Sequence, residues 1–443
     1  MAELQPIEAA LKALLADVMP LSAEQIALND AAGRVLAESV TATLDVPPFD
    51  NSAMDGYALR AMDAGKRLPV SQRIAAGSTA RPLAVGTCAR IFTGGQIPPG
   101  ADCVVMQERV TEDNGEALIP VDVPEGDNVR LQGRDVHQGD VLLNAGERLE
   151  AAALGHLAGQ GITHVSVRRR PRVALLSTGD EIVDPGTPLK PGQLYNSNRP
   201  MLKRLLETFG AEVVQLVSVP DDYAQTVALL NHAAAEADVV VSTGGVSVGE
   251  EDHVKAALES LGQLDMWKLA IRPGKPLALG RLPRDDGSHA RFVGLPGNPV
   301  SGFVGAWLFL RPLMGALLGC PALAELPCLT ATATFTTDTG PRQHYMRVAL
   351  RFTPEGIEAD AFDDQNSAVL SSCIAADALA VIDPHTRVER RVAQCAAYGW
   401  WVEAVAEGGL SRAPFRSRVS CSPSRAMPHS AGWRERAASV LGG

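Results

Sequence analysis

A chain of 443 residues, 46% apolar but only 5% aromatic, is too long for one ordinary core and is expected to fold as about two to four domains. Its net charge of −11 argues against a nucleic-acid surface. Seven scattered cysteines without a C-x-x-C pair show no disulfide framework, give little support to a structural zinc site and suit a reduced, cytoplasmic setting.

The N-terminus carries Glu3 and Glu8 and no basic cluster, so no signal peptide is read there. Ile7, Leu11, Leu14, Leu15 and Val18 recur at helical spacing, and residues 1 to about 40 read as helical. Pro47 and Pro48 exclude a helix over Leu44–Ala58, where Asp50, Asn51 and Ser52 favour turns. There Asp50 reads equally well as a cap and Asp55-Gly56 as a hairpin corner. Residues 57 to 145 read as short β segments, including Arg90–Phe92, Asp102–Met106 and Val141–Leu143. Arg130, Arg134 and Asp135 share a loop, which a solvated charge cluster explains as well as a site does. Ala151–Gln160 reads as a helix and Val165–Arg170 as a strand packing back on the first helix. The β domain is then an insertion in a discontinuous one.

From Pro171 the pattern alternates. Strands are expected at Val173–Ser177, Val213–Val219, Val239–Ser242, near Leu277 and at Phe292–Gly294. Helices are expected at Asn198–Phe209, Asp222–Ala235, Asp252–Leu261 and Asn298 to about Leu318. This order predicts βαβ units and a parallel sheet covered on both faces, with ligands bound beyond the carboxyl ends of the strands. The apolar run from Val300 to Leu318 contains Arg311 and Pro312 and reads as a buried helix rather than a membrane span.

The loops at those strand ends share a chemistry: Thr178-Gly179-Asp180-Glu181, Pro220-Asp221-Asp222, Leu295–Ser301, and Gly244-Gly245 running on through Ser247 to Asp252. Between them lie the cations Lys268, Arg272 and Lys275. Glycine turns, carboxylates and cations on one edge suit a phosphorylated ligand with a divalent cation. Gly245–Gly249 also matches a nucleophile elbow, which would make Ser247 a hydrolase nucleophile with Asp265 and His289 as partners; the acidic turn and the missing oxyanion loop count against it. The histidines show no metal-binding spacing, and neither a P-loop nor G-x-G-x-x-G opening a helix occurs. Residues 321 to about 407 read as β-rich. Residues 408–443 hold six Arg against Glu435 and so carry 6 − 1 = +5; with little periodicity, they read as a disordered basic tail.

Taken together, the strings Pro48–Ala58, Phe92-Thr93-Gly94, Ser177–Glu181, Gly244–Gly249, Pro273–Pro276 and Leu295–Ser301 resemble the molybdopterin molybdenumtransferase family, in the family's order. The resemblance implies an α/β multidomain chain: a helical stalk domain (1–45 and 141–170), an inserted β domain (46–140), a three-layer α/β domain with a parallel-rich sheet (171–320) and a C-terminal β-barrel-like domain (321–407). It also implies a homodimer whose cleft lies between the α/β domain of one subunit and the β domain of the other. The implied reaction inserts molybdate into adenylylated molybdopterin with Mg²⁺, releasing AMP. Carried over by motif, Asp55, Asp135, Glu181, Asp252, Lys268 and Arg272 would be catalytic, with Glu181 and Asp252 on the metal. Thr93, Asp221, Gly244, Gly245, Ser247, Lys275, Pro296 and Pro299 would bind substrate. The alternatives are a molybdopterin adenylyltransferase-like enzyme, a gephyrin-like scaffold and the Ser247 hydrolase. Three departures stand out: Arg134 for a common acid, Arg272 for a frequent Lys, and no recognisable family ending beyond about Val392.

Overall fold

The computed structural model describes residues 4–219, 222–245, 253–389 and 392–397. Helix α1, Ile7–Leu15, buries Ile7, Ala10 and Leu14, as its spacing requires. It does not run on to residue 40. Asp17 adopts a positive φ of 58°, and Pro20 has no amide for the helical ladder. The following stretch forms the strand Ala23–Ala27 and a 3₁₀ turn at Leu28–Asp30. That strand pairs antiparallel with His164–Arg168. The later strand therefore meets a strand, not the first helix, because long-range pairing outweighs local helical preference. Helix α2, Ala151–Gly159, covers this unit, whose core includes Leu28, Leu36, Leu157 and Val167. Helix α1 packs on the neighbouring α/β unit, in one cluster with Val173 and Leu206.

Between the halves of the stalk lies a six-stranded sheet ordered Cys103–Met106, Gly56–Leu59, Cys88–Ile91, Arg67–Ile74, Glu116–Leu118, Thr111–Asp113. Alternation gives it two apolar faces: Tyr57 and Leu59 point to one cluster and Ala58 to another.

The α/β unit has a six-stranded sheet ordered Glu212–Val219, Arg172–Thr178, Val239–Thr243, His289–Leu295, Pro276–Pro283, Gln263–Lys268. The first four are parallel. Pro276–Pro283 runs antiparallel to both its neighbours, His289–Leu295 and Gln263–Lys268, so the sheet is mixed, with one reversed strand where the strand–helix rhythm predicts a parallel sheet. Gln263–Lys268 carries Gln263, Asp265 and Lys268, and no apolar run marks it in the sequence. Successive residues of the central strands face opposite layers. Val173, Leu175, Val239 and Val241 pack with α1, α3 (Asn198–Thr208) and the final helix. Ala174, Leu176 and Val240 pack with α4 (Tyr223–Glu236) and α5 (His253–Leu261). That is the three-layer arrangement. The final helix runs as α6 (Pro299–Gly305), a π-helical turn (Ala306–Leu310) and α7 (Arg311–Leu318). It is long and apolar enough to cross a membrane, yet 89% of its most apolar window is buried in the protein.

The C-terminal strands close a ring. Gln343–Thr353 pairs with Gly356–Ala361, which pairs with Cys328–Ala333, then Val392–Ala397, then Ala378–Ile382, which returns to Gln343–Thr353. Closure removes the free edges that an open sheet would leave. Thus Val392–Ala397, past the point where the family ending fades, still supplies the closing strand. Residues 398–443, the predicted basic tail among them, lie outside the described residues.

Candidate active site

The site starts where Val239–Thr243, buried throughout, runs out of sheet. Gly244 and Gly245 follow with φ of 84° and 64°. A Cβ on Gly244 would lie 2.6 Å from Thr178 Oγ1, so only glycine fits there. The Gly244 amide donates to the Leu295 carbonyl at 3.0 Å, joining this turn to the next strand end. Past Leu295 the chain turns through Pro296, Gly297 and Asn298 into α6, with Pro299 in its first turn.

The barrel docks against this edge. Ile271–Arg272 pairs with Gln343–His344, which brings Arg342 beside Arg272. Arg347, only 1% exposed, donates Nε to Ser372 Oγ at 2.9 Å and Nη2 to the Asn366 carbonyl at 3.1 Å. Its backbone amide donates to Gln365 Oε1 at 3.0 Å. The Val300 amide donates to the Ser367 carbonyl at 3.1 Å. The loop carrying Gln365, Asn366 and Ser367 is thereby held against the start of α6.

A cavity of about 440 Å³ lies between these parts. Gly244, Gly245, Pro296 and Gly297 form one side, and Arg272, Lys275 and Arg342 supply three cations. Asn298, Ser301, Gln365, Asn366 and Ser367 add amide and hydroxyl groups. Among the described residues no Asp or Glu lines it. Burial, reinforced by Arg272 and Arg342, holds the nearby His344 imidazole below its ordinary value. Such a surface suits an anion of two or more charges.

The cavity thus gathers Gly244, Gly245, Arg272, Lys275 and Pro296 of the residues expected from sequence. Pro299, in the first turn of α6, is not on its lining. Lys268 ends an edge strand, where its carbonyl accepts from the Gln5 amide at 2.8 Å, and does not line the cavity. The Glu181 carboxylate lies 2.6 Å from where a Gly179 Cβ would stand, one turn from the Thr178–Gly244 contact, and is exposed. Among the described residues no group of three His, Cys, Asp or Glu side chains gathers to hold a metal. Asp221, Ser247 and Asp252 lie outside the described residues. One of the hydrolase partners, His289, is misplaced in any case. His289 starts the strand whose other end, Leu295, pairs with Thr243, which puts it about 20 Å from the glycine turn at ~3.3 Å per residue.

Asp55 and Thr93 form a separate group on the β domain. The Thr93 amide and Oγ1 each donate to Asp55 Oδ1 at 2.8 Å, so Asp55, in the bend before Gly56–Leu59, is a hydrogen-bond acceptor as well as a corner residue. These bonds, backbone first, and the Arg90 charge hold its pKa below the ordinary value. Arg90 Nη1 donates to the Gly56 carbonyl at 2.8 Å and stacks on Phe92, whose ring Arg73 also covers. Asp135 is exposed in a loop tied to the proline turn through its amide and the Val46 carbonyl at 2.9 Å. Asp50 accepts from the Gln132 amide of the same loop at 2.7 Å. No residue of 46–140 lines the cavity. Sequence reasoning missed Arg342, Gln365, Asn366 and Ser367, whereas Asn298 and Ser301 fall in the expected Leu295–Ser301 loop without having been singled out. Asp363–Ser367 is visibly turn-rich, but nothing in its composition says which domain it faces.

These features define a multidomain α/β protein with an anion-binding cleft at the carboxyl edge of its sheet, walled on one side by a barrel. Three family descriptions match in succession: "MoeA N-terminal region (domain I and II)" over residues 5–161, "Probable molybdopterin binding domain" over 174–316 and "MoeA C-terminal region (domain IV)" over 330–390. The chain is 38% identical to the molybdopterin molybdenumtransferase of Haemophilus influenzae across 82% of its own length and 90% of that protein's. It is 41% identical to that of a Nostoc species across 67% and 70% respectively. A crystal structure of the molybdopterin biosynthesis MoeA protein of Pyrococcus horikoshii superimposes with a TM-score of 0.73 at 32% identity, covering 90% of this chain and all of that one. The chain belongs to the molybdopterin molybdenumtransferase family.

Proposed function

We propose that this enzyme inserts molybdate into adenylylated molybdopterin and releases AMP. The observation that carries the reading is the cationic cavity: two glycine turns beside Arg272, Lys275 and Arg342, with no carboxylate on the lining among the described residues. Backbone amides of the turns suit the pterin phosphate. The three cations suit the oxyanion substrate and the phosphoanhydride, whose charges they offset. An adenylyltransferase acting through the α/β unit alone would leave Arg342 and the Gln365–Ser367 wall without a role.

Asp55, Thr93 and Asp135 belong to the same reaction but come from a second copy, so the working unit is a homodimer. Support for this is their separation from the cavity within one chain. Mg²⁺ would be held by Glu181, whose carboxylate lies beside the Thr178–Gly244 lip, together with Asp252. Bound there, it would offset charge on the phosphoanhydride. The protein's own groups bind and orient: Arg272, Lys275 and Arg342 fix the anions, and Asp55, kept ionised by Thr93, accepts a hydrogen bond or proton. The test is incubation of purified protein with adenylylated molybdopterin, molybdate and Mg²⁺. AMP release coupled to cofactor formation is expected, and Asp252→Asn should abolish it; no AMP release from the unaltered chain sinks the proposal.

A further inference from the structure

Asn198 opens α3 behind the cavity and is only 8% exposed. Its Nδ2 donates to Thr243 Oγ1 and to the Gly297 carbonyl, both at 2.7 Å. A carbonyl can only accept, so the nitrogen must face Gly297 and the amide orientation is settled. Thr243 immediately precedes Gly244, and Gly297 sits in the opposite turn. The two turns are close enough that a Cβ on Gly297 would come 3.7 Å from Gly244 Cα. One buried amide therefore ties together two turns that arise from different strands.

The other half of the side chain argues that this is not mere filling. Asn198 Oδ1 is enclosed and accepts no hydrogen bond from the described residues. An enclosed, unpaired acceptor is unfavourable, and an apolar side chain of similar volume would avoid it. The two donated bonds are what an asparagine adds here. Its own position is braced in turn, since Asn196 Oδ1 accepts from the Arg199 amide at 3.0 Å and Asn196 Nδ2 donates to Ser177 Oγ at 2.9 Å.

We infer that Asn198 is a positioning residue: it holds the Gly244–Gly245 and Pro296–Asn298 turns at the separation the phosphate-bearing substrate requires. This rests on the function proposed above. It is tested on the full chain with Asn198→Ala and the isosteric Asn198→Asp, which sets a second acceptor against the Gly297 carbonyl. Thr243→Val removes one arm and serves if the Asn198 variants fail to fold. Amide hydrogen exchange should rise roughly tenfold in both turns together, and by more than in the rest of the α/β core, whatever the fall in melting temperature. KM for adenylylated molybdopterin should rise roughly tenfold with kcat nearly kept. Faster exchange in one turn only, or an unchanged KM with both turns loosened, overturns the inference. So does a lowered melting temperature with neither turn affected. If the unaltered chain shows no turnover, the proposed function fails while the exchange result still decides whether Asn198 couples the turns.

Discussion

The cavity and the Asp55–Thr93 group are built from opposite materials. The cavity presents cations, glycine amides and neutral polar groups, with no carboxylate on its lining among the described residues. The β-domain group presents an ionised carboxylate, held low by Thr93, beside the stacked Arg90 and Phe92. An acid placed inside the cavity would neutralise the cations that bind the anionic substrate. With Asp55 on another domain, the proposed composite site would let each group hold its charge until the two meet. In the proposed homodimer, anion binding and proton handling would fall to different domains.

Reversing the cavity's charge should have the largest effect. Arg272→Glu is expected to lower kcat/KM by about 10³-fold, read by AMP release, and a loss under tenfold would remove Arg272 from the substrate's reach. Asp55→Asn should cost about 10²-fold, mainly in kcat. These two variants also test directly whether the two groups come from different subunits. Co-expressed, they should recover about a quarter of normal activity, because half of the dimers carry one intact composite site. Recovery of nothing would place both groups in one chain's site.

Stability should separate the two regions less sharply. Leu206 in the α/β core and Leu59 in the β domain are both 0% exposed, and Leu→Ala at either should cost about 2–5 kcal/mol. Denaturant melts followed by fluorescence check this; a loss below about 1 kcal/mol would mean that the site repacks freely. The smallest effect is a pH shift. Asp55 has a depressed pKa, so its ionised form persists as pH falls through the ordinary carboxylate value near 4 and is lost only below it. Thr93→Val removes one of the two bonds to Asp55, so the acid limb of kcat/KM should move upward. An unmoved limb would show that the limb belongs to another group.

Much of the fold was legible because its signals are local. The spacing in α1, the buried Val239–Thr243 run and the glycines after it each follow from side-chain periodicity and backbone freedom. The stretch to residue 40 was not legible, since Ala23–Ala27 becomes a strand only through a partner at His164–Arg168. Gln263–Lys268 was hidden for the same reason. Within the site, Gly244, Arg272 and Pro296 stood in recognisable strings, whereas Arg342 and Ser367 reach the cavity only because the barrel docks on Ile271–Arg272.

By itself, then, the sequence determined the strand-end chemistry, the alternating α/β rhythm and the family, all written in short contiguous strings. Only the tertiary structure decided that the barrel forms a wall of the cleft, that Lys268 and Asp55 stand apart from it, and that Asn198 joins its two turns. Those facts depend on contacts between residues far apart in the chain, and such contacts leave no periodic or compositional trace.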